Sequence, residues 1–522
     1  MLKEQCDILE SLIDADENNG VVSDLKHIIY NLAEDTIDQM ISDYNVFRIA
    51  MHDYERPYGT LLDYQTLAVC FMYYAQKCIL GDSVGMGKTV ATAGVFNLIK
   101  REMAKTGQKH RYLVLTQKNL AVQFRRELVK FTGEFVELIP SGEAKQVQLY
   151  YNTYDYREKP EFSVVGTHAL LMTKSFIQWL ELCRTEGEGF PFDTLVVDES
   201  SELGTGQMAS VFKALSGYFK NIYFLNATPF ETHLGIFYNQ LSLLDPKLLP
   251  TKQNFTKEYC IMDYRGMYPK PSGRYKNQEN FKRLIRYRYF ARTRRDKGAE
   301  MRECDGRVVL SPLSSVQKDL LKRSQLHKIV FDCPSHIDDS IPFNSSTVPK
   351  LASLSGLLDN ECAEADTIII FVYHKEAQSR LSEWLTSMGH SNRVLNGETP
   401  NNKRISIIEG FRNREYRILL TNVQKGLNFG NCDYCIFYSY DTNPSSMVQF
   451  EGRITRDFDI VGKHIYILCS MGEEYRNLMT VVKERVKATK DFTNTDYSVV
   501  LDIIAGGSKN GNNAGETKGD GE

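Results

Sequence analysis

The sequence predicts an α/β protein of two blocks, each a mostly parallel sheet covered by helices, with a helical arm before them and an insertion between them. Three observations carry this expectation. Between about residues 56 and 250, four short apolar runs (112–116, 163–167, 194–198 and 222–226) each end in a polar residue and are separated by helical material. From 367 the same rhythm returns in 367–372, 393–395, 417–421, 434–438 and 464–469. Continuous apolar strands alternating with helices predict parallel sheets with both faces covered. The third observation is a glycine-rich stretch, 81–89, standing after the apolar run 67–74 and before a helix-like segment, 90–100.

In chain order, residues 1–55 form the arm. Leu9, Leu12 and Ile13, then Leu25, Ile28, Ile29 and Leu32, then Ile37, Met40 and Ile41 recur at helical spacing. The first block runs over 56–250. Residues 251–350 are the insertion and linker, with 266–280 reading as a Gly-, Pro- and polar-rich loop and 334–347 as a polar linker. The second block covers 351–487. A C-terminal extension, 488–522, closes the chain; from about 505 it holds almost nothing apolar and is expected to be disordered.

With 522 residues, 42% of them hydrophobic, the chain can fill two sizeable cores. A net charge of -3 neither suggests nor excludes nucleic acid, because binding needs a local basic surface rather than a basic total. No apolar run reaches bilayer length. Residues 1–16 carry five acids and do not form a signal peptide. Of eleven cysteines only Cys432 and Cys435 are spaced as a pair, without a second pair or a His cluster to complete a zinc site. They read as small apolar residues beside a strand, and the chain as a reduced, intracellular, cytoplasmic protein.

A glycine-rich turn ending in Gly87-Lys88-Thr89 at a helix start is suited to hold polyphosphate. Gly85 and Gly87 let the backbone approach the anion, and free amides and the helix dipole favour negative charge there. Lys88 would reach the β- and γ-phosphates, and the Thr89 hydroxyl would hold Mg²⁺. The consensus asks for Gly where this chain has Asp82. About 110 residues on, Asp198-Glu199 leaves an apolar strand. Such an acid can hold Mg²⁺ and its neighbour can position or deprotonate water; alternatively the pair caps the next helix. Gln65 has an amide able to recognise adenine, or is an ordinary surface residue. Arg453 and Arg456 share one helix face and suit an arginine finger or a solvated basic face.

Taken in order, Tyr64-Gln65, Asp82-x-x-Gly85-Met-Gly-Lys-Thr89, Asp198-Glu199, Ala227-Thr228-Pro229, Gly426-Leu-Asn428 and Gln449-x-x-Gly452-Arg453-x-x-Arg456 resemble a superfamily II helicase. Asp82-Ser-Val-Gly85-Met-Gly-Lys-Thr89 is similar to the Asp-Glu-x-Gly-Leu-Gly-Lys-Thr of the SWI/SNF-type DNA translocase branch, which also has Asp in place of Gly. Leu241-Ser-Leu-Leu-Asp-Pro246, Val394-Leu-Asn-Gly397-Glu-Thr-Pro400 and Tyr438-Ser-Tyr-Asp-Thr-Asn443-Pro444 resemble further stretches of that branch. The resemblance spans roughly 60–470. It departs in three places: Ser83 replaces Glu, 422–425 is about two residues short, and Asp457-Phe458 replaces Gly-Gln. The size and the absence of histone-reading, zinc or nuclease modules resemble compact phage, viral or bacterial motors.

The resemblance implies two RecA-like lobes with ATP and Mg²⁺ in the cleft between them. Lobe one would supply Gln65, Asp82, Gly85, Gly87, Lys88, Thr89, Asp198 and Glu199, and lobe two Arg453 and Arg456 with Gln449 nearby. Thr228 would couple hydrolysis to the grip on nucleic acid. Thr116, Gln117, Thr167, His168 and Asn422 match strand-contact positions that read phosphate without sequence information, although strand-end threonines also serve as helix caps. The segment 281–297 holds eight basic residues and one acid. Tyr287, Tyr289 and Phe290 within it are either stacking residues or core. The implied activity is ATP-dependent translocation along, or remodelling of, duplex or branched DNA. An RNA helicase, a P-loop enzyme acting on small molecules and a non-catalytic scaffold are the alternatives.

Overall fold

The computed structural model describes residues 61–83, 85–118, 120–139, 163–186, 190–201, 206–227, 229, 234–264, 269–285, 287–292, 305–423, 432, 434–440, 447, 450 and 464–479. The expected arm, the C-terminal extension, Thr228, Gln449, Arg453 and Arg456 lie outside them. Two compact units divide between residues 300 and 301.

The first unit is built on a parallel sheet in the order β3-β4-β2-β5-β6-β1-β9. Its strands are β1 (Lys77–Leu80), β2 (Tyr112–Thr116), β3 (Val136–Leu138), β4 (Ser163–Thr167), β5 (Thr194–Asp198), β6 (Asn221–Leu225) and β9 (Tyr289–Phe290). Side chains alternate across a strand, and the core divides accordingly. Ile79, Leu113, Leu115, Leu195, Val197, Ile222 and Phe224 enter one cluster. Cys78, Leu80, Tyr112, Val114, Val196, Tyr223 and Leu225 enter the other. Helices α1 (Asp63–Ala75), α2 (Lys88–Ala104) and α3 (Ala121–Thr132) contribute to the second cluster. Helices α4 (Lys174–Glu186), α5 (Gly206–Leu215), α6 (Leu234–Leu244), α7 (Lys252–Tyr259) and α8 (Gln278–Ile285) contribute to the first.

The apolar run 67–74 lies on α1, and the strand that feeds the glycine-rich loop is the four-residue β1. Gln76, at φ 58°, turns the chain from one into the other. The stretch 266–280 is not a plain loop: it contains β8 (Lys270–Tyr275), antiparallel to β7 (Cys260–Asp263), and the start of α8. The period-2 pattern is faint there because the hairpin leaves Ile261 and Arg274 exposed. Residues 251–350, expected as an inter-lobe insertion and linker, supply β9 to the first sheet and β10 (Asp305–Ser311) to the second.

The second unit is a parallel sheet in the order β10-β15-β14-β11-β13-β12. The remaining strands are β11 (Ile368–Phe371), β12 (Asn392–Leu395), β13 (Ile418–Thr421), β14 (Tyr434–Phe437) and β15 (His464–Ser470). Here too the residues alternate between two clusters, with Ile369, Phe371, Leu419 and Phe437 in one and Ile368, Ile370, Leu420 and Ile436 in the other. Cys432 and Cys435 are buried, and the Cys432 thiol faces the Thr367 and Tyr434 carbonyls. Lys350, at the start of α9 (Lys350–Asp359), is fully buried. It donates to Asp332 at 2.9 Å, to Glu474 at 2.8 Å and to the Tyr438 carbonyl at 3.3 Å. Burial pushes its pKa down, but the charges of Asp332 and Glu474 outweigh this and hold it above the usual lysine value. Among the described residues, no helix is long and apolar enough to cross a membrane.

Candidate active site

The register of the first sheet sets out the site. Thr167 is level with Thr116, Leu115 with Val197, Asp198 with Leu225, Leu225 with Leu80, and Leu80 with Phe290. One row at the carboxyl ends of the strands therefore holds Thr167, Thr116, Asp198, Leu225, Leu80 and Phe290. Only β6 separates the end of β1 from the end of β5. At the usual strand spacing Asp198 thus stands about 10 Å from the residue that feeds the glycine-rich loop. This carboxyl edge is where open parallel sheets hold ligands.

The loop turns on two left-handed residues, Gly85 at φ 85° and Gly87 at φ 80°. Gly87 is the N-cap of α2 and Lys88 its first residue. A Cβ on Gly87 would collide with Gln65 Nε2. Gln65 is buried; its Oε1 accepts from the Leu62 amide at 3.1 Å and its Nε2 reaches the Met86 carbonyl at 3.5 Å. Its amide is thus turned onto the loop. Lys88 Nζ donates to the carbonyls of Asp82 at 2.6 Å and Ser83 at 3.3 Å, which holds the cation over the turn. Glycine backbone, a lysine and a helix N-terminus fit a polyphosphate.

Asp82 was expected among the nucleotide-binding residues; in the structure its side chain is engaged within the protein. Its carboxylate is buried and engaged by Arg292, through Nη2 to Oδ2 at 2.6 Å, Nε to Oδ1 at 3.2 Å and the backbone amide to Oδ1 at 3.0 Å. A bare carboxylate would repel phosphate, and the guanidinium cancels that charge. Arg292 belongs to the basic stretch 281–297. Tyr289 and Phe290 are buried, in line with the core alternative, and Tyr287 is partly exposed.

At the end of β5, Asp198 Oδ2 accepts from the Thr116 hydroxyl at 2.9 Å. The Asp198 carbonyl lies 2.7 Å from His168 Nε2. A carbonyl only accepts, so Nε2 carries the proton. Glu199 follows in the left-handed region at φ 52°, a costly setting for a side chain with a Cβ, and one that recurs at functional sites. Beyond it, Ser200 Oγ donates to Gln240 Oε1 at 2.6 Å and Asn226 Nδ2 to the same oxygen at 3.3 Å. Gln240 Nε2 donates to the Pro229 carbonyl at 2.9 Å. One buried amide on α6 thereby joins the acid-bearing turn to the segment flanking Thr228.

Thr116, Thr167 and His168 were expected to touch nucleic acid. All three are buried, and Thr116 and His168 are hydrogen-bonded to Asp198. Gln117 and Asn422 remain partly exposed. The Gln117 carbonyl accepts from Leu120 and Ala121 at the start of α3, and Asn422 Nδ2 donates to the Tyr373 carbonyl at 3.4 Å. Sequence reading missed Arg292 and Gln240. The charge run around Arg292 was a signal for the first; nothing local marked the second.

A glycine turn at a helix start, an acid pair on the same sheet edge and a second parallel sheet define a two-unit P-loop ATPase of the helicase type. The SNF2-related domain matches residues 64–358 and the helicase conserved C-terminal domain matches 349–457. The chain belongs to the SNF2-related family of superfamily II. It is 24% identical to the zebrafish (Danio rerio) chromodomain-helicase-DNA-binding protein 1-like, over 77% of this chain and 40% of that protein. It is 21% identical to the uncharacterized ATP-dependent helicase YqhH of Bacillus subtilis, over 78% of this chain and 75% of the relative. The chain thus spans less than half of the first relative's length and three quarters of the second's. Among solved structures, the Sulfolobus solfataricus SWI2/SNF2 ATPase core in complex with dsDNA aligns at TM-score 0.39 and 18% identity, covering 87% of this chain and 95% of that one.

Proposed function

We propose that this protein hydrolyses ATP and couples the reaction to movement along, or remodelling of, duplex or branched DNA without reading its sequence. Family membership supports the reaction class. The observation that supports it most directly is the shared sheet edge, on which Asp198 is level with Leu80 just before the phosphate loop. In this reading Gly85, Gly87 and Lys88 would hold the phosphates, and Thr89 and Asp198 would hold Mg²⁺, which would neutralise charge on them. Glu199 orients or deprotonates the attacking water. Thr116 and His168 fix Asp198, and Gln65 holds the turn around Gly87. Arg453 and Arg456 would supply positive charge to the γ-phosphate, with Gln449 nearby, and Thr228 would pass the change onward. Gln117 and Asn422 are the remaining strand-contact candidates. The nine described cysteines are buried free thiols, which supports a reducing, intracellular setting.

The test is ATP turnover alone and with single-stranded, double-stranded and branched DNA and with RNA, followed by strand displacement on the same substrates. Duplex or branched DNA should raise the rate, and Lys88→Ala should abolish it. Equal turnover in Lys88→Ala would refute the reading, and stimulation by RNA alone would replace DNA as the substrate.

A further inference from the structure

The Asp82–Arg292 pair belongs to a longer connection. Ile79 donates its amide to the Arg288 carbonyl at 2.7 Å, Gly81 to Phe290 at 2.6 Å and Ser83 to Arg292 at 2.9 Å. The segment 288–292 therefore runs beside β1 and continues past its end along the phosphate loop. A Cβ on Gly81 would meet the Tyr289 ring at 2.5 Å, so the two backbones lie in close register. The Arg292 guanidinium also stacks over the Phe290 ring at 4.8 Å, and the Arg292 and Asp82 side chains are 1% and 2% exposed. In chain order Arg292 is followed by residues 293–304 and then by β10 of the second unit.

We propose that Arg292 is a positioning residue for nucleotide binding. It acts through Asp82 to hold the phosphate loop against the segment 288–292, so that nucleotide on the loop is felt by the chain leading to the second unit. Three contacts to one carboxylate and a backbone ladder on the same segment make a rigid coupling. Loop and segment must move together or break a buried charge pair, which is costly when one partner is left behind. Asp82 is then no nucleotide ligand but the loop's attachment point. The inference rests on the ATPase reading.

The experiment compares the full chain with Arg292→Met, Arg292→Lys and Asp82→Gly/Arg292→Met. It measures fluorescent ADP affinity, thermal midpoint and amide exchange in peptides covering 76–84 and 286–293. Each single variant should melt earlier than the native chain. The double variant, with both charges gone, should recover the native midpoint yet bind ADP roughly ten- to hundredfold more weakly, because the loop has lost its alignment. Amides of Ile79, Gly81 and Ser83 should exchange faster in it, and ADP should slow exchange in 286–293 only in the native chain. A double variant that binds ADP as the native chain does would overturn the proposal, leaving the pair to compensate only its own charge. If the native chain binds no ADP, the ATPase reading fails and this inference falls with it; native exchange at Ile79, Gly81 and Ser83 would then still show whether the segment holds the loop.

Discussion

Thr116→Val separates a residue that steadies the catalytic acid from one that touches DNA. Thr116 is fully buried at the end of β2, and its hydroxyl donates to Asp198 Oδ2 at 2.9 Å. Valine keeps the volume and the strand preference but puts a methyl group against the carboxylate. A hydrogen bond to a charged group contributes about 1.5–3 kcal/mol. If that support is needed in the transition state, the loss corresponds to roughly ten- to hundredfold in turnover. The assay is steady-state ATP hydrolysis at saturating DNA, with DNA affinity measured in parallel over a salt series. Turnover should fall by that factor while DNA affinity and its salt slope stay native, and Thr116→Ser should restore most of the rate. A Thr116→Val chain with native turnover and weakened, less salt-dependent DNA binding would refute the reasoning and return Thr116 to the strand-contact surface.

Two further predictions concern stability, and the chain's two tryptophans, Trp179 and Trp384, report on one unit each. In the first unit, burial and then the charges of Lys100 and Lys220 push His110 down to about 3. A histidine with a depressed folded pKa contributes stability that is complete above its unfolded value near 6.5 and lost as pH falls through the folded one. Urea unfolding read by Trp179 in a Trp384→Phe background should therefore weaken by about 1.4 kcal/mol per pH unit below 6 relative to His110→Gln, which lacks this contribution; identical slopes would count against it. In the second unit, Lys350→Met leaves Asp332 and Glu474 without their cation and should cost about 3–5 kcal/mol at neutral pH, read by Trp384 in a Trp179→Phe background. Burial raises both carboxyl pKa values against the pull of Lys350. The folded variant should then bind protons before the unfolded chain does, and its deficit should shrink as pH falls from 7 to 5; a pH-independent deficit would contradict this.

Most of the strands that sequence reading located have an apolar run that is continuous because both faces are covered, as in Thr194–Asp198 and Ile368–Phe371. The elements it passed over are short, at a sheet edge or partly exposed. Strand β1 is four residues long and directly follows a helix whose own apolar residues are longer and louder. Strands β3 and β9 are short edge strands of three and two residues. The β7–β8 hairpin shows solvent enough side chains to lose its alternation. Site residues divide in the same way. Gly85, Gly87 and Lys88 were legible because a phosphate turn is local in sequence. Thr116 and His168 were legible as strand-end polar residues, but their direction was not: whether such a side chain faces a ligand strand or a neighbouring acid depends on which strand lies beside it. That follows from the order β4-β2-β5, which brings Thr116 next to Asp198.

Asp82 shows how far such a reading can be pushed. A carboxylate where the phosphate consensus has glycine is tolerable only if its charge is cancelled, since an uncompensated carboxylate would be buried next to the anion the loop is meant to hold. Lys88 does not do this here, because its ammonium rests on the carbonyls of Asp82 and Ser83. Some other cation must therefore be buried against Asp82, and guanidinium suits a bidentate buried contact better than ammonium does. The argument requires an arginine but not its position. Arg292 is 210 residues away in sequence, inside a run of eight basic residues, and only the pairing of β9 with β1 selects it. An aspartate at this position is thus itself evidence for a returning strand, and the strand order, not the local motif, decides which arginine answers it.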